Sequence, residues 1–362
     1  MMKSMGAEKP EVFFAPREDL ESFDKLFASL RLPELFPAGG RIAVKLHMGE
    51  TYSKYIVKPV FVARAVELLQ QRGFVPFVTD TTAIYPGGRE NEKLYLKTAA
   101  GNGFTSGKMH GAKIVIADGD GEKEVLHLLK KFLSLNQIRI AWEIANCDGM
   151  LLLTHFKGHP QAGVGGAIKN VGMGCVSKKG KEEIHNVASP KFDIEKCTGC
   201  GACVEVCPFT KKALRIDESK KIVVFDERRC VSCGSCYRVC KNDVISFDNG
   251  GGQDPSITLQ NRLADATRAV HERLSGRIAG INFIRDITKY CDCCKPSKII
   301  APDVGMMASR DLVALDQASC DSVKSAAGRD IFLEETTVEG EVQMSSAQAL
   351  GVGRRDYELK KI

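Results

Sequence analysis

The residues in this chain best suited to chemistry are eight cysteines in two runs of the same spacing, C-x2-C-x2-C-x3-C. The runs are Cys197, Cys200, Cys203 and Cys207, followed by Cys230, Cys233, Cys236 and Cys240. Thiolates are the usual ligands of iron-sulfur clusters, and gaps of two residues let three of them surround one face of a cubane. Zinc ribbons instead use paired C-x2-C knuckles that lie far apart. The spacing therefore predicts two [4Fe-4S] clusters in residues 191–248, called here the cysteine-rich segment.

The cysteine-rich segment resembles the ferredoxin-type domain with two [4Fe-4S] clusters, in which the fourth cysteine of each run binds the other cluster. The resemblance implies that one cluster binds Cys197, Cys200, Cys203 and Cys240, and that the other binds Cys230, Cys233, Cys236 and Cys207. The chain departs from the pattern at Lys241, which stands where the second run would usually have a proline. Nothing at the N-terminus resembles a secretory signal, so we expect a cytoplasmic protein with reduced thiols.

Three further cysteines, Cys291, Cys293 and Cys294, lie within four consecutive residues. A C-x-C-C sequence cannot complete a tetrahedral metal site alone, so it would need Cys175, Cys320, a histidine or an outside ligand. Clustered cysteines in reducing compartments are often metal-binding or redox-active, which makes this a candidate third metal or redox site. The alternative is a group of small buried side chains with one exposed thiol.

Polar residues also follow three predicted strands. Residues 41–46 and 74–79 flank a helical pattern over 59–72, which predicts a β-α-β unit with parallel strands, and residues 149–153 form another predicted strand. The polar residues at the strand ends are Lys45 and His47, then Asp80, then the segment THFKGH at 154–159. Ligands of open α/β sheets bind beyond the carboxyl ends of the strands, so we expect these side chains to form one site.

The segment after the third of these strands contains two histidines, a glycine-rich turn and a lysine. Imidazole suits acid/base chemistry or metal coordination, which makes His159 and His185 candidate catalytic residues together with Lys169. Gly165 and Gly166 would let backbone amides approach a phosphate or carboxylate. We expect Lys45 or His47 on the opposite wall, and a lowered pKa for at least one of these crowded bases. The glycines match neither the dinucleotide fingerprint nor the phosphate loop.

The order of predicted elements indicates an α/β fold, with a mostly parallel sheet and an inserted small α+β module of the ferredoxin type. We expect the α/β body to comprise residues 1–190 and 249–362, and the inserted module to comprise residues 191–248. Within the body, the sequence also predicts a helix over residues 123–134 and a strand over residues 298–301.

Several motifs together resemble the DUF362 family, whose members are iron-sulfur proteins of largely unassigned function that often carry an inserted 4Fe-4S module. The motifs are HFKGH, GGAIKN with GMG, the GK before His185, CDC at 291–293 and SRDLVALDQAS at 309–319. This resemblance covers most of residues 41–358 and implies a family, but no reaction.

A more local resemblance links His159, the glycine turn, Lys169 and His185 to the lactate racemase family, which uses a nickel-pincer nucleotide. It implies that Lys169 tethers the nucleotide, His185 binds nickel and His159 carries a proton. That family has no ferredoxin insert.

Composition narrows the function classes. The chain has 362 residues, a net charge of +6 and 44% hydrophobic residues, with no apolar run long enough for a bilayer and no arginine-rich stretch with interleaved aromatics. We therefore expect no membrane or nucleic-acid partner. The prediction is a ferredoxin-coupled oxidoreductase that acts on an unidentified small molecule. The alternatives are a non-enzymatic electron carrier for a redox partner protein, and a lactate-racemase-like enzyme. The sequence leaves the oligomeric state open.

Overall fold

The structure, a computed structural model, describes residues 8–51, 53–85, 87–186, 190–207, 212–230, 232, 235–247, 254–293 and 297–362. Its strands are β1 (Glu11–Ala15), β2 (Arg41–Lys45), β3 (Val75–Asp80), β4 (Ile114–Ile116), β5 (Glu124–Leu128), β6 (Gln137–Ala141), β7 (Gly149–His155), β8 (Lys157–His159), β9 (Gly163–Gly165), β10 (Pro190–Phe192), β11 (Leu214–Asp217), β12 (Ile222–Phe225), β13 (Ile245–Phe247), β14 (Ile278–Ile284), β15 (Gly305–Ser309) and β16 (Glu358–Lys361).

The α-helices are mostly short, with two longer ones in the second half of the chain. They are α1 (Leu20–Ser29), α2 (Leu32–Leu35), α3 (Pro59–Gln71), α4 (Glu92–Gly101), α5 (Trp142–Ala145), α6 (Ala167–Gly172), α7 (Lys178–His185), α8 (Ala202–Val206), α9 (Ser235–Val239), α10 (Pro255–Arg273), α11 (Leu312–Ala327), α12 (Ile331–Thr336) and α13 (Val342–Ala349).

The body of the fold is an eight-stranded sheet in the order β16-β1-β15-β14-β7-β2-β3-β4. Strand β15 is antiparallel to both of its neighbours, whereas the other neighbouring pairs are parallel. Along β2, Ala43 packs into one buried core, and Ile42 and Val44 pack into the other. Helices therefore cover both faces of the sheet, as parallel strands require. The predicted fold class, α/β with a mostly parallel sheet, is confirmed.

The β2-α3-β3 unit forms as its sequence predicts. Helix α3 begins at Pro59, whose fixed φ suits the first turn, and Gly73 follows its end with a φ of +78°. This unit brings the ends of β2 and β3 side by side, with Lys45 paired in register with Thr79.

Two predicted elements are wrong. Residues 123–134 do not form a helix, because β5 within them pairs antiparallel with β6, from Glu124 opposite Ala141 to Leu128 opposite Gln137. Residues 298–301 do not form a sheet strand; Ile299 makes only an isolated bridge with Thr288. Strand β15 supplies that part of the sheet instead.

The described strands of the cysteine-rich segment do not join the eight-stranded sheet. Its strands form two antiparallel pairs, β10 with β13 and β11 with β12. Its described apolar core is small and comprises Leu214, Val223, Cys236, Val244 and Ile245. A core of this size supplies little stability, which is typical of domains whose folding depends on bound metal.

Candidate functional site

A cavity of about 180 Å³ lies at the carboxyl ends of β2, β3 and β7, and we call it the cleft. The cleft is lined by every residue that the sequence suggested for catalysis or cofactor binding: Lys45, His47, Asp80, His159, Gly165, Gly166, Lys169 and His185. Cys291 and Cys293 also line it, whereas Cys294 lies outside the described residues. The parallel strands therefore bring these side chains together, and the role of each one stays a prediction.

Lys45 and Asp80 form a buried ion pair where β2 and β3 end. Lys45 Nζ lies 2.9 Å from Asp80 Oδ1, and it also donates a 2.7 Å hydrogen bond to Asn170 Oδ1. Tyr95 donates its hydroxyl proton to Asp80 Oδ2 at 2.5 Å. Burial alone would raise the pKa of Asp80, but Lys45 and the neighbouring bases hold this pKa at about 2. Asp80 is therefore a carboxylate that positions Lys45.

Asp292 plays a similar part on another wall of the cleft. Its Oδ1 lies 2.9 Å from His155 Nδ1, and its Oδ2 lies 2.6 Å from Lys157 Nζ. Burial opposes ionisation, yet Lys157 and His155 together lower the pKa of Asp292. Asp292 therefore links the loop after β14 to the end of β7 and the start of β8.

Helix α7 contributes Lys181 and His185, which are one turn apart on the same face. Lys181 Nζ donates to Thr81 Oγ1 at 2.7 Å and to the Val176 carbonyl at 2.6 Å. Burial lowers the pKa of Lys181 to about 8. Burial, followed by the charges of Lys169 and Lys181, lowers the pKa of His185 to about 4. Lys181 is not among the residues that the sequence suggested, although its four-residue spacing from His185 on a helical segment could have indicated it.

Two imidazole nitrogens in the cleft lack partners. Among the described residues, His47 Nε2 and His185 Nδ1 are buried and make no hydrogen bond. Burial, and then the charge of Arg89, holds the pKa of His47 well below its usual range. Buried polar atoms are nearly always hydrogen-bonded, so these two nitrogens mark positions where a polar ligand would fit.

Position 166 requires a glycine because the backbone there packs against the side chain of Asp316 on α11. Asp316 accepts hydrogen bonds from the backbone N–H groups of Ala167 and Ile168, at 2.7 and 2.8 Å, and so holds the first turn of α6. A Cβ atom at Gly166 would lie 2.3 Å from Asp316 Oδ1, which only glycine avoids. Burial raises the pKa of Asp316 to about 6. Because α6 carries Lys169, Asp316 positions one wall of the cleft.

Four cysteines from the two runs surround a separate cavity of about 290 Å³: Cys197, Cys200, Cys203 and Cys240. Burial, and then the neighbouring thiols of Cys197 and Cys200, raises the pKa of Cys203. The backbone N–H of Val223 donates to Cys197 Sγ at 3.3 Å. In the described part of the chain, no three Cys, His, Asp or Glu residues are placed to hold a single metal ion. A cubane is larger than one ion, so its four ligands would surround a cavity of this kind.

The second cysteine run contacts the cleft directly, although Cys233 lies outside the described residues. Ser232 donates its backbone N–H to Cys230 Sγ at 3.3 Å, and its carbonyl accepts a 2.8 Å hydrogen bond from Gln161 Nε2. Gln161 lines the cleft, and its own backbone N–H donates to His159 Nδ1 at 3.2 Å. One residue therefore contacts both the cysteine run and a candidate catalytic histidine.

Cys291 and Cys293 are joined by a disulfide bond, with their Cα atoms 5.4 Å apart. Neither Cys175 nor Cys320, the two cysteines suggested as partners for this pair, lines the cleft. Cys175 is buried against Met150, and burial raises its pKa to about 12. Cys320 is buried on α11, and burial raises its pKa as well. The metal site suggested for this sequence stays a prediction.

Comparison with known proteins gives one family. Residues 42–321 match the family described as "Domain of unknown function (DUF362)". No curated protein matches the chain. In the part of the chain that the structure describes, no helix has the length and apolar character needed to cross a membrane.

Two solved structures are similar at low identity. One is a Thermotoga maritima protein from a structural genomics consortium, with a TM-score of 0.43 and 9% identity, where the match covers 87% of this chain and 60% of that one. The other is the lactate racemase apoprotein from Thermoanaerobacterium thermosaccharolyticum, with a TM-score of 0.34 and 13% identity, covering 66% of this chain and 58% of that one. The chain thus spans about three fifths of the length of each.

Proposed function

We propose that this chain, which belongs to the DUF362 family, is an oxidoreductase that takes up single electrons and transfers them to a small anionic molecule in the cleft. The observation that carries the proposal is the hydrogen bond from Gln161 to Ser232, because it joins the cleft to the second cysteine run. A pure electron carrier would need no such connection to a lined cavity.

The cysteine runs have the residues to hold two [4Fe-4S] clusters, which supply single-electron transfer when they are bound. Cys197, Cys200, Cys203 and Cys240 would hold the first, and these four line the cavity of about 290 Å³. Cys230, Cys233, Cys236 and Cys207 would hold the second. The hydrogen bonds from backbone N–H groups to Cys197 and Cys230 suit thiolate ligands, since such bonds stabilise negative charge on sulfur.

The charges in the cleft support an anionic substrate. Lys45, Lys157 and Arg89 form ion pairs with Asp80, Asp292 and Glu50. The two hydrogen bonds of Lys181, in contrast, end on neutral oxygens. A carboxylate or phosphate group would balance the charge of Lys181 and could bond the unpartnered nitrogens of His185 and His47.

His159 and Lys181 are suited to proton transfer. His159 Nδ1 accepts hydrogen bonds from the backbone N–H groups of Gln161 and Ala162, at 3.2 and 3.0 Å, so the proton of a neutral imidazole lies on Nε2. Lys181, with a pKa of about 8, exchanges its proton readily near neutral pH. Reduction of a bound anion needs protons as well as electrons, and these two side chains line the cavity where it would bind.

The test is donor oxidation by anaerobic protein with both clusters loaded. Reduced methyl viologen serves as the donor, and a panel of small carboxylic acids and phosphate esters serves as candidate substrates. We expect at least one anion to accelerate oxidation of the dye in the wild type. We expect Lys181→Ala and His185→Ala to lose this acceleration, and Lys179→Ala, an exposed residue of the same helix, to keep it. Equal acceleration in all four proteins would leave the electron-carrier function standing.

The lactate-racemase-like function is the second candidate, because His159, Lys169 and His185 line the same cleft, as that resemblance requires. The chemistry of these donors, one amine and two imidazoles, is compatible with a tethered nucleotide and a nickel ion. Analysis of nickel and bound nucleotide in anaerobically purified protein separates the two candidates. Nickel bound in proportion to protein, and absent from His185→Ala, would favour the racemase-like enzyme.

A further inference from the structure

The Cys291–Cys293 disulfide lies in the wall of the cleft rather than between distant parts of the fold. Cys291 is buried and Cys293 is partly exposed. Asp292, between them in sequence, is held by His155 and Lys157. The pair therefore faces the cavity from a loop that is already anchored by ion pairs.

This disulfide is poorly suited to a structural role. A disulfide stabilises a fold mainly by closing a long loop in the unfolded chain, and this one closes a loop with a sequence separation of 2. The contacts of Asp292 fix the loop independently of the sulfur atoms. Exposed disulfides have higher reduction potentials than buried ones and include the catalytic disulfides, and Cys293 is partly exposed at the cleft.

A hydrogen-bonded route connects this loop to the second cysteine run through β8. At one end of the route, Gly158 donates its backbone N–H to the Thr288 carbonyl at 2.8 Å, three residues before Cys291. A Cβ atom at Gly158 would lie 2.5 Å from the Lys289 carbonyl, so the two backbones are in close contact. At the other end, just beyond β8, Gln161 donates to Ser232.

We propose that Cys291 and Cys293 are the two-electron redox group of the cleft, alternating between a disulfide and a pair of thiols. Two electrons, delivered one at a time from the side of the second cysteine run, break the S–S bond, and two protons complete the thiols. The source is a one-electron donor protein of the ferredoxin class. The thiols then pass two electrons and two protons to the bound anion, and the S–S bond forms again. The pair thereby converts single-electron delivery into the two-electron chemistry of most small molecules.

The groups around the pair suit this cycle. Lys157 lies 2.6 Å from the Asp292 carboxylate, so the charge of the residue between the two sulfurs is already balanced. A balanced carboxylate opposes formation of a thiolate, the reactive form of cysteine, less than an unpaired carboxylate would. This proposal rests on the proposed function for the source of electrons, but its test needs no substrate.

The experiment traps thiols in anaerobic full-length protein whose iron and sulfide content shows that both clusters are loaded. A photoreduced deazaflavin delivers single electrons, N-ethylmaleimide traps thiols under native conditions, and fragment spectra assign the labelled positions. We expect Cys291 and Cys293 to be unlabelled before reduction and both labelled afterwards. We also expect Cys291→Ser with Cys293→Ser to take up two electrons fewer per chain than the wild type.

Two further variants show whether the electrons arrive by the route through Gln161. Gln161→Leu removes the hydrogen bond to Ser232 and leaves every cysteine in place. We expect the rate at which Cys291 and Cys293 are labelled after reduction to fall roughly tenfold or more, because a contact that couples the two sites is lost. Cys147→Ser is the matched control. The Cys147 thiol is buried and donates a hydrogen bond to the Ile144 carbonyl. Its loss should change neither the labelling rate nor the set of labelled cysteines.

Two results would overturn the proposal. Labelling of Cys291 and Cys293 before any reduction, with loss of a bound metal in Cys291→Ser, would make the pair a metal site. Reduced clusters with an intact disulfide would make the pair inert. Normal labelling, in a protein whose dye oxidation is accelerated by none of the anions in the panel, would instead contradict only the proposed function.

Discussion

Gln161 donates a 2.8 Å hydrogen bond from Nε2 to the backbone carbonyl of Ser232, and both residues are buried. Ser232 stands between Cys230 and Cys233 in the second run, and Gln161 follows His159 in the cleft wall. This contact links the loop of the second cysteine run to the wall of the cleft that carries His159. A change in the redox state of the cluster proposed for this run could therefore affect the cleft through this hydrogen bond.

The first prediction concerns metal content. Anaerobically purified protein should contain about eight iron and eight acid-labile sulfide per chain, because two cubanes are what the cysteine runs can bind. We expect Cys200→Ala to lose about half of both and to lose order in the cysteine-rich segment, since cluster binding and folding are coupled in a unit with so small a core. Colorimetric iron and sulfide analysis with circular dichroism measures both effects.

The control for that analysis is Cys147→Ser, which removes a thiol outside both runs and should keep the full iron content. About four iron per wild-type chain would show instead that only one run is filled.

The second prediction concerns anion affinity. Lys181→Ala should weaken binding of small carboxylates or inorganic phosphate by roughly tenfold to a hundredfold, because loss of one charge-assisted hydrogen bond costs about 1.5–3 kcal/mol. His185→Ala should have a smaller effect of the same sign. Isothermal titration with malonate and with phosphate distinguishes the two kinds of anion. Lys179→Ala should bind like the wild type, and unchanged affinity in Lys181→Ala would refute the assignment.

The third prediction is the pH dependence of that affinity. Burial lowers the pKa of Lys181 to about 8, so this side chain is charged below that pH and neutral above it. A bound anion favours the charged form, and affinity should therefore fall as the pH rises through about 8. Lys181→Arg stays charged throughout this range and should remove the fall. Titrations from pH 6 to about 9.5 measure it, and identical profiles for both proteins would contradict the role of Lys181.

The fourth prediction concerns the support of α6. Gly166→Ala should lower the free energy of unfolding by about 1–3 kcal/mol, since the new methyl group would overlap the Asp316 carboxylate. In the Asp316→Ala background the same change should cost less, because the overlapping atoms are gone. Gly165→Ala is the matched control, with its nearest neighbour at an ordinary 3.6 Å. Urea unfolding followed by circular dichroism measures all four variants.

Much of the α/β body could be predicted from the sequence, since its strands are continuous apolar runs that end in polar residues. Residues 41–46, 74–79 and 149–153 overlap β2, β3 and β7, and the parallel order of these strands brings Lys45, Asp80 and His155 to one edge. The expected convergence of His159, Lys169 and His185 on one cavity rests on the same geometry.

The rest depends on tertiary contacts that leave little trace in local sequence. The segment at 123–134 has apolar residues at helical spacing, yet its backbone pairs with β6, and Leu126 and Leu128 remain exposed. Lys181 is one of several lysines in its segment, and only the fold shows that it is buried. The pairing of Asp292 with His155 joins residues 137 positions apart.

The two ends of the cysteine-rich segment are paired with each other as two short antiparallel strands, β10 and β13. Pro190 in β10 lies opposite Phe247 in β13, so the chain enters and leaves the segment at adjacent positions. The segment therefore connects α7 to α10 with its two ends close together, as a tight loop would. We expect that a segment attached in this way can be exchanged for another module, or for a short turn, without a change in strand order. Chimeras joined at β10 and β13 would show whether the proposed electron transfer requires Ser232, the partner of Gln161.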